Sequence, residues 1–195
     1  MSELKVDKIS PASGANVVTL GDSGDTFTVP SGATFTNSGT ATGFGGGKVK
    51  QMVGNSISSL ITTTVLLPKD DTIPQNTEGV EVLTQAITPT SASNNLWFFI
   101  VVNLSGPTGP WMGASLFQDS TAGALASCVE YVATNTAGVQ VCLNHKMAAG
   151  TTSATTFKVR SGGSVSGTYS INGQSGGRLL GGVNSTSISI MEVEA

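Results

Sequence analysis

Between Asn94 and Ser105 the chain reads NNLWFFIVVNLS, and Leu96 to Val102 within it is its longest apolar run. A helix needs roughly 20 such residues to cross a membrane, so this run is far too short for insertion. Its aromatic and β-branched side chains favour a pleated strand. Because LWFFIVVNL is apolar on both faces, we expect a central strand. One face would pack on an opposing sheet and the other on a neighbouring subunit.

On either side the pattern repeats in shorter form. KVKQMV, TTTVLL, GVEVLTQAI, WMGASLF, ASCVEYVA, VQVCLNH, TTFKVR, GTYSI and STSISIMEV all read as strands. Pro68, Pro74, Pro89, Pro107, Pro110 and the glycines of SGGSVSG and SGGRLLGG separate them. No stretch has a convincing helical period, although TAGALAS could hold one turn. Roughly ten strands at this spacing suit an antiparallel, jelly-roll-like β-sandwich over residues 48–195.

The run Gly45-Gly46-Gly47 breaks the pattern and marks a boundary. Residues 1–47 then form an amino-terminal unit of another kind. MSELKVDKISP reads as one short attachment strand, and TLGDSGDTFTVPSGATFTNSG follows at 19–39. There Ser-Gly pairs recur at 23, 31 and 38, and Thr precedes an apolar residue in each unit. Each unit can make one strand of about four residues, too short to stand alone. Stacked repeats need several neighbours to build a core. Identical chains that intertwine would supply them, with Leu20, Phe27, Val29 and Phe35 of three copies layered along a common axis in a β-solenoid or prism. A disordered Gly/Thr/Ser linker is the alternative, and the regular spacing of Leu20, Phe27 and Phe35 argues against it.

Charged residues make up only 11% of the chain, with a formal net charge of -3 and a pI near 5.0. The nine Lys and Arg are scattered, so nucleic acid is not an expected partner. No signal-peptide pattern opens the chain, which suggests synthesis in a cytoplasm. Cys128 and Cys142 could face each other across a hairpin turning near Asn135 to Gly138, but reduced thiols are expected there.

Chemistry is hard to find. His145 is the single histidine, and no Gly-x-Ser-x-Gly elbow is present. The carboxylate pairs Asp70-Asp71 and Glu78/Glu81 lie in or beside a proline-bearing loop, where turn formation is the ordinary role. GDSGD lacks the length and the terminal Glu of a calcium loop. GFGGGK lacks the Ser/Thr of a phosphate loop. No catalytic residue, metal site or cofactor is expected. Surface recognition remains, through the loops carrying Asp70, Asp71, Gln75 and Asn76, and Pro107, Thr108, Pro110 and Trp111. Trp111 and Trp97 could equally belong to a core or a subunit interface.

A resemblance that spans nearly the whole chain is carried by three sets of residues: LKVDKI with VTLGDSGDTFTVPSGATFTNSGTATGFGGG; DDTIPQNTEGVEVLTQAITPTSASNNL with ASLFQDSTAGALA; and GTYSINGQSGGRLLGGVNSTSISIMEVEA. The chain resembles fibre-like virion proteins of marine tailed bacteriophages. That resemblance implies a homotrimeric, non-enzymatic structural protein on the particle surface, docked to other virion proteins through its amino-terminal segment. Two roles follow from it: a fibre or spike that meets a host-surface glycan or protein, or a capsid decoration (cement) or head-fibre protein. The repeat is short for a long tail fibre.

Overall fold

The structure is a computed structural model that describes residues 9, 17–19, 22–39, 48–107, 109–132 and 138–195. The chain divides into two units, Met1–Gly45 and Gly46–Ala195.

Among the described residues of the second unit twelve strands follow in order: β1 Val49–Ile57, β2 Ile61–Thr63, β3 Val80–Ile87, β4 Asn95–Ser105, β5 Trp111–Gln118 and β6 Ala126–Tyr131. After them come β7 Gly138–Ala148, β8 Thr155–Gly163, β9 Tyr169–Ile171, β10 Gly173–Gln174, β11 Gly177–Arg178 and β12 Thr186–Val193. All ten expected segments contain a strand. The two-residue hairpin β10-β11 and a single 3-10 turn at Leu180–Gly182 were not foreseen.

Every ladder between these strands is antiparallel. One sheet runs β1-β12-β4 with β7 on the far edge of β4, and the other runs β3-β8-β5-β6. Because β7 follows β4 along its whole length, β9 must take the opposite edge of β4 at Leu104 and Ser105, beyond the end of β12. Two rows of four with these connections make an eight-stranded jelly roll.

The central-strand expectation holds for β4. It lies between β12 and β7, and Leu96, Phe98, Ile100, Val102 and Leu104 point into the sandwich at 2% exposure or less. Phe98 meets Phe157 of the opposite sheet edge-to-face, with ring centroids 4.6 Å apart. Each side chain buried this fully contributes about 1.5–3 kcal/mol. Trp97 and Phe99, on the other face of β4, are 38% and 43% exposed.

The link from β2 to β3 runs over the outside of the second sheet. Leu67 donates its N–H to Gly163 O at 3.0 Å, and Gly79 donates to Leu66 O at 2.7 Å. Gly162 permits this approach, because a Cβ there would stand 2.8 Å from Val65 O. The expected cysteine hairpin is not formed. β6 and β7 belong to different sheets, since a jelly roll crosses between its layers at this point. Both thiols are free, Cys128 half-buried and Cys142 exposed.

Among the described residues of the first unit there is no β-ladder. Turns fall at Ser23-Gly24 and Ser31-Gly32, closed by Asp25 N to Asp22 O and Ala33 N to Pro30 O, each 3.1 Å. Gly24 and Gly32 adopt φ of +97° and +85°, which side-chain-bearing residues rarely take. Asp22 to Asp25 form a turn, with Asp25 Oδ2 accepting the N–H of Asp22 at 2.8 Å. Leu20 lies outside the described residues.

Candidate functional site

The first recognition loop is pinned to its own sandwich. Gln75 bridges Gly123, donates its N–H to Oε2 of Glu78 at 2.9 Å, and donates its side-chain amide to Ile73 O. Asn76 donates its N–H to Ala122 O at 2.7 Å and its Nδ2 to Thr121 O at 3.3 Å. The Asn76 side chain therefore holds the loop onto the β5-β6 turn, while the Gln75 side chain braces the loop itself. Asp70 accepts from the hydroxyl and the N–H of Thr72, an Asx turn whose hydroxyl bond, then its backbone bond, lowers its carboxyl below the usual value. Asp70 and Asp71 are exposed, and they flank an open hollow of about 310 Å³ floored by Ile73, Pro74, Ala126 and Ser127.

The second loop is held as firmly. Trp111 donates its N–H to Ser164 Oγ at 3.0 Å, Gly109 donates its N–H to Val132 O, and Val132 donates its own to Pro110 O. Pro110 is buried and Pro107 half-buried, while Thr108 lies outside the described residues. The Trp111 ring is 5.4 Å from Tyr131, and the Lys69 ammonium sits 4.0 Å above it. Trp111 thus ties the two loops together, with Tyr131 as its exposed neighbour at 51%.

In the repeat, Phe27, Val29 and Phe35 are 68%, 41% and 54% exposed in the single chain.

Elsewhere, sequence reasoning missed a buried anion. Glu192 is fully buried, and Oε1 accepts from Thr90 N (2.8 Å), Thr90 Oγ1 (2.7 Å), Ser91 N (3.3 Å) and Asn94 Nδ2 (2.7 Å), while Oε2 accepts from Gln51 Nε2 (2.6 Å). Burial by itself raises the carboxyl, but the bonds from Gln51, Asn94 and Thr90 outweigh it and hold the group at about 2. The signal was parity: in TSISIMEV, Glu192 shares the inward phase of Ile188 and Ile190. This carboxylate clamps the 88–94 loop and is closed to ligands. His145 stands half-buried on β7 with its ring 5.9 Å from Phe98, and burial lowers its pKa. Among the described residues no group of three His, Cys, Asp or Glu could hold a metal, and no helix is long and apolar enough to cross a membrane.

No protein-family model matches the chain, and no curated protein sequence does either. Several solved structures resemble it distantly. The EclA C-terminal domain, a sugar-binding protein, is 20% identical at a TM-score of 0.33, over 58% of this chain and 73% of that one. A structure of infectious bursal disease virus, Gx strain, is 10% identical at 0.33, over 75% of this chain and 39% of that one. The enzymatically active domain of tailspike protein 4 from bacteriophage CBA120 is 14% identical at 0.26, over 71% and 19%. This chain spans well under half the length of either viral chain. At these scores the likenesses assign it no activity, ligand or place in a particle.

Proposed function

We propose that the chain is a structural, non-catalytic protein of a tailed-phage virion. In this reading three copies intertwine through the 19–39 repeat, the amino-terminal segment docks on other virion proteins, and the jelly rolls are displayed on the particle surface. The observation that carries it is the repeat itself. Large apolar side chains recur between left-handed Ser-Gly turns, and Phe27 and Phe35 are more than half exposed in one chain. Sister chains are the economical cover for them. The resemblance to fibre-like phage proteins supports the same assignment. Attachment to a host-surface glycan or protein would use the exposed ledge of Lys69, Trp111 and Tyr131 with the neighbouring Asp70 and Asp71.

One observation favours a second reading, capsid decoration. Gln75 and Asn76, the amides best suited to reading a receptor, are already bonded to the chain itself, Gln75 to Ile73 O and Asn76 to Thr121 O of the β5-β6 turn. Immunogold microscopy of intact particles with antibody against residues 48–195 separates the two. Gold on the tail supports the fibre and gold over the head supports decoration; unlabelled particles refute both.

A further inference from the structure

The face of β4 turned away from the core belongs to a surface whose rows are fixed by the ladders to β12 and β1. Met52, Met191 and Trp97 make one row. Gly54, Ser189 and Phe99 make the next, and Ser56, Ser187 and Val101 the third. Met52 is 62% exposed, and the two aromatic rings stand open beside it. These nine positions carry no charge. Lys146 is opposite Trp97 on the neighbouring β7, with its ammonium 5.0 Å from the indole centroid. Relief is uneven across the rows. Bulk stands on β4, whereas Gly54, Ser56, Ser187 and Ser189 leave an open trough of about 400 Å³ along β1 and β12.

We propose that this face is a contact between two copies of the chain, related by a two-fold axis running along β12. Neighbouring strands lie about 4.8 Å apart, so β1 and β4 are equally far from that axis on its two sides. A two-fold rotation exchanges them and keeps each row in place. Phe99 of one copy then fills the hollow over the partner's Gly54, Trp97 meets the partner's Met52, and Val101 covers the partner's Ser56. Each contact occurs twice, as an isologous interface requires. The Trp97–Met52 pairing is a favourable thioether–aromatic contact. Self-complementarity within one uncharged face is what points to a second copy rather than to a charged or nucleic-acid partner.

Size sets the strength. Three strands wide and about seven residues long, the face offers on the order of 340 Å² per copy at these spacings. That is less than half of the roughly 800 Å² each partner gives to a standard interface, so association is weak and concentration-dependent. This contact goes beyond the repeat-mediated trimer and uses a different part of the chain.

The test is sedimentation velocity of the full chain over a concentration series. The sedimentation coefficient of the wild type should rise with concentration. Phe99→Lys and Gly54→Asp should each weaken this self-association at least tenfold. An equimolar mixture of the two variants should regain it, because the new ammonium of one lies over the new carboxylate of the other. Val101→Lys with Ser56→Asp repeats the exchange without adding a Cβ at Gly54, where one would stand 3.1 Å from Ile188 O. Urea unfolding of each variant confirms that it is folded. A concentration-independent coefficient for the wild type, variants that associate like the wild type, or mixtures no better than their components would each overturn the proposal. Mass at the lowest concentration reports separately on the trimer, so the two readings fail independently.

Discussion

Glu192→Gln is the most informative single substitution in the sandwich. The wild-type carboxylate sits at about 2 in the fold against an ordinary 4.5, a difference that corresponds to roughly 3 kcal/mol at about 1.4 kcal/mol per unit. The folded value lies below the unfolded one. The stabilisation is therefore fully present above about pH 5 and is lost as pH falls toward 2. Glutamine keeps the shape and one acceptor, but its own amide nitrogen meets that of Gln51, which is already committed to Thr88 O at 2.7 Å. At neutral pH the variant should lose about 2–3 kcal/mol, the range for a hydrogen-bonded charge. With a urea slope of about 2 kcal/mol/M, the midpoint should fall by roughly 1–1.5 M. Urea titrations followed by Trp97 and Trp111 fluorescence at pH 7, 4 and 2.5 measure this directly. The gap between wild type and variant should narrow to under about 1 kcal/mol at pH 2.5. A gap that stays constant across pH would show that the charge contributes nothing and that only shape matters at this position.

Three other outcomes follow from the packing and the repeat. Phe27→Ser with Phe35→Ser should dissociate or aggregate an intertwined trimer, since each lost aromatic costs about 3 kcal/mol or more in a core, and light scattering reads the mass. Gly162→Ala forces a methyl against Val65 O and should cost about 1–3 kcal/mol in urea unfolding, with the β2-β3 link losing hydrogen-exchange protection first. Tyr169→Phe removes a buried hydroxyl that donates to Val165 O at 2.6 Å, and a loss of about 1 kcal/mol in the same assay is expected.

The sandwich was legible because its signals are local. Alternation in STSISIMEV and the doubly apolar LWFFIVVNL reveal strands, and Pro and Gly mark where they stop. Pairing is not local. Nothing in ASCVEYVA and VQVCLNH distinguishes a hairpin from a step between layers, so the cysteine hairpin was a reasonable expectation that the jelly-roll crossover overrides. The Glu192 clamp was half legible: its inward phase could be read, but its donors come from residues about 100 and 141 positions away, and no spacing announces them. For the recognition loops, sequence identified polar residues at turns. The structure adds that the Gln75 amide bonds within the loop and the Asn76 amide bonds the β5-β6 turn, while Trp111 is joined by Lys69 and Tyr131, neither of which composition singles out.

In the proposed assembly the repeat of one chain is completed by two others. Sedimentation equilibrium of the full chain at low concentration tests it most directly. Three times the 19.7 kDa chain mass is the predicted result. A species of one chain mass that stays folded and soluble would contradict it.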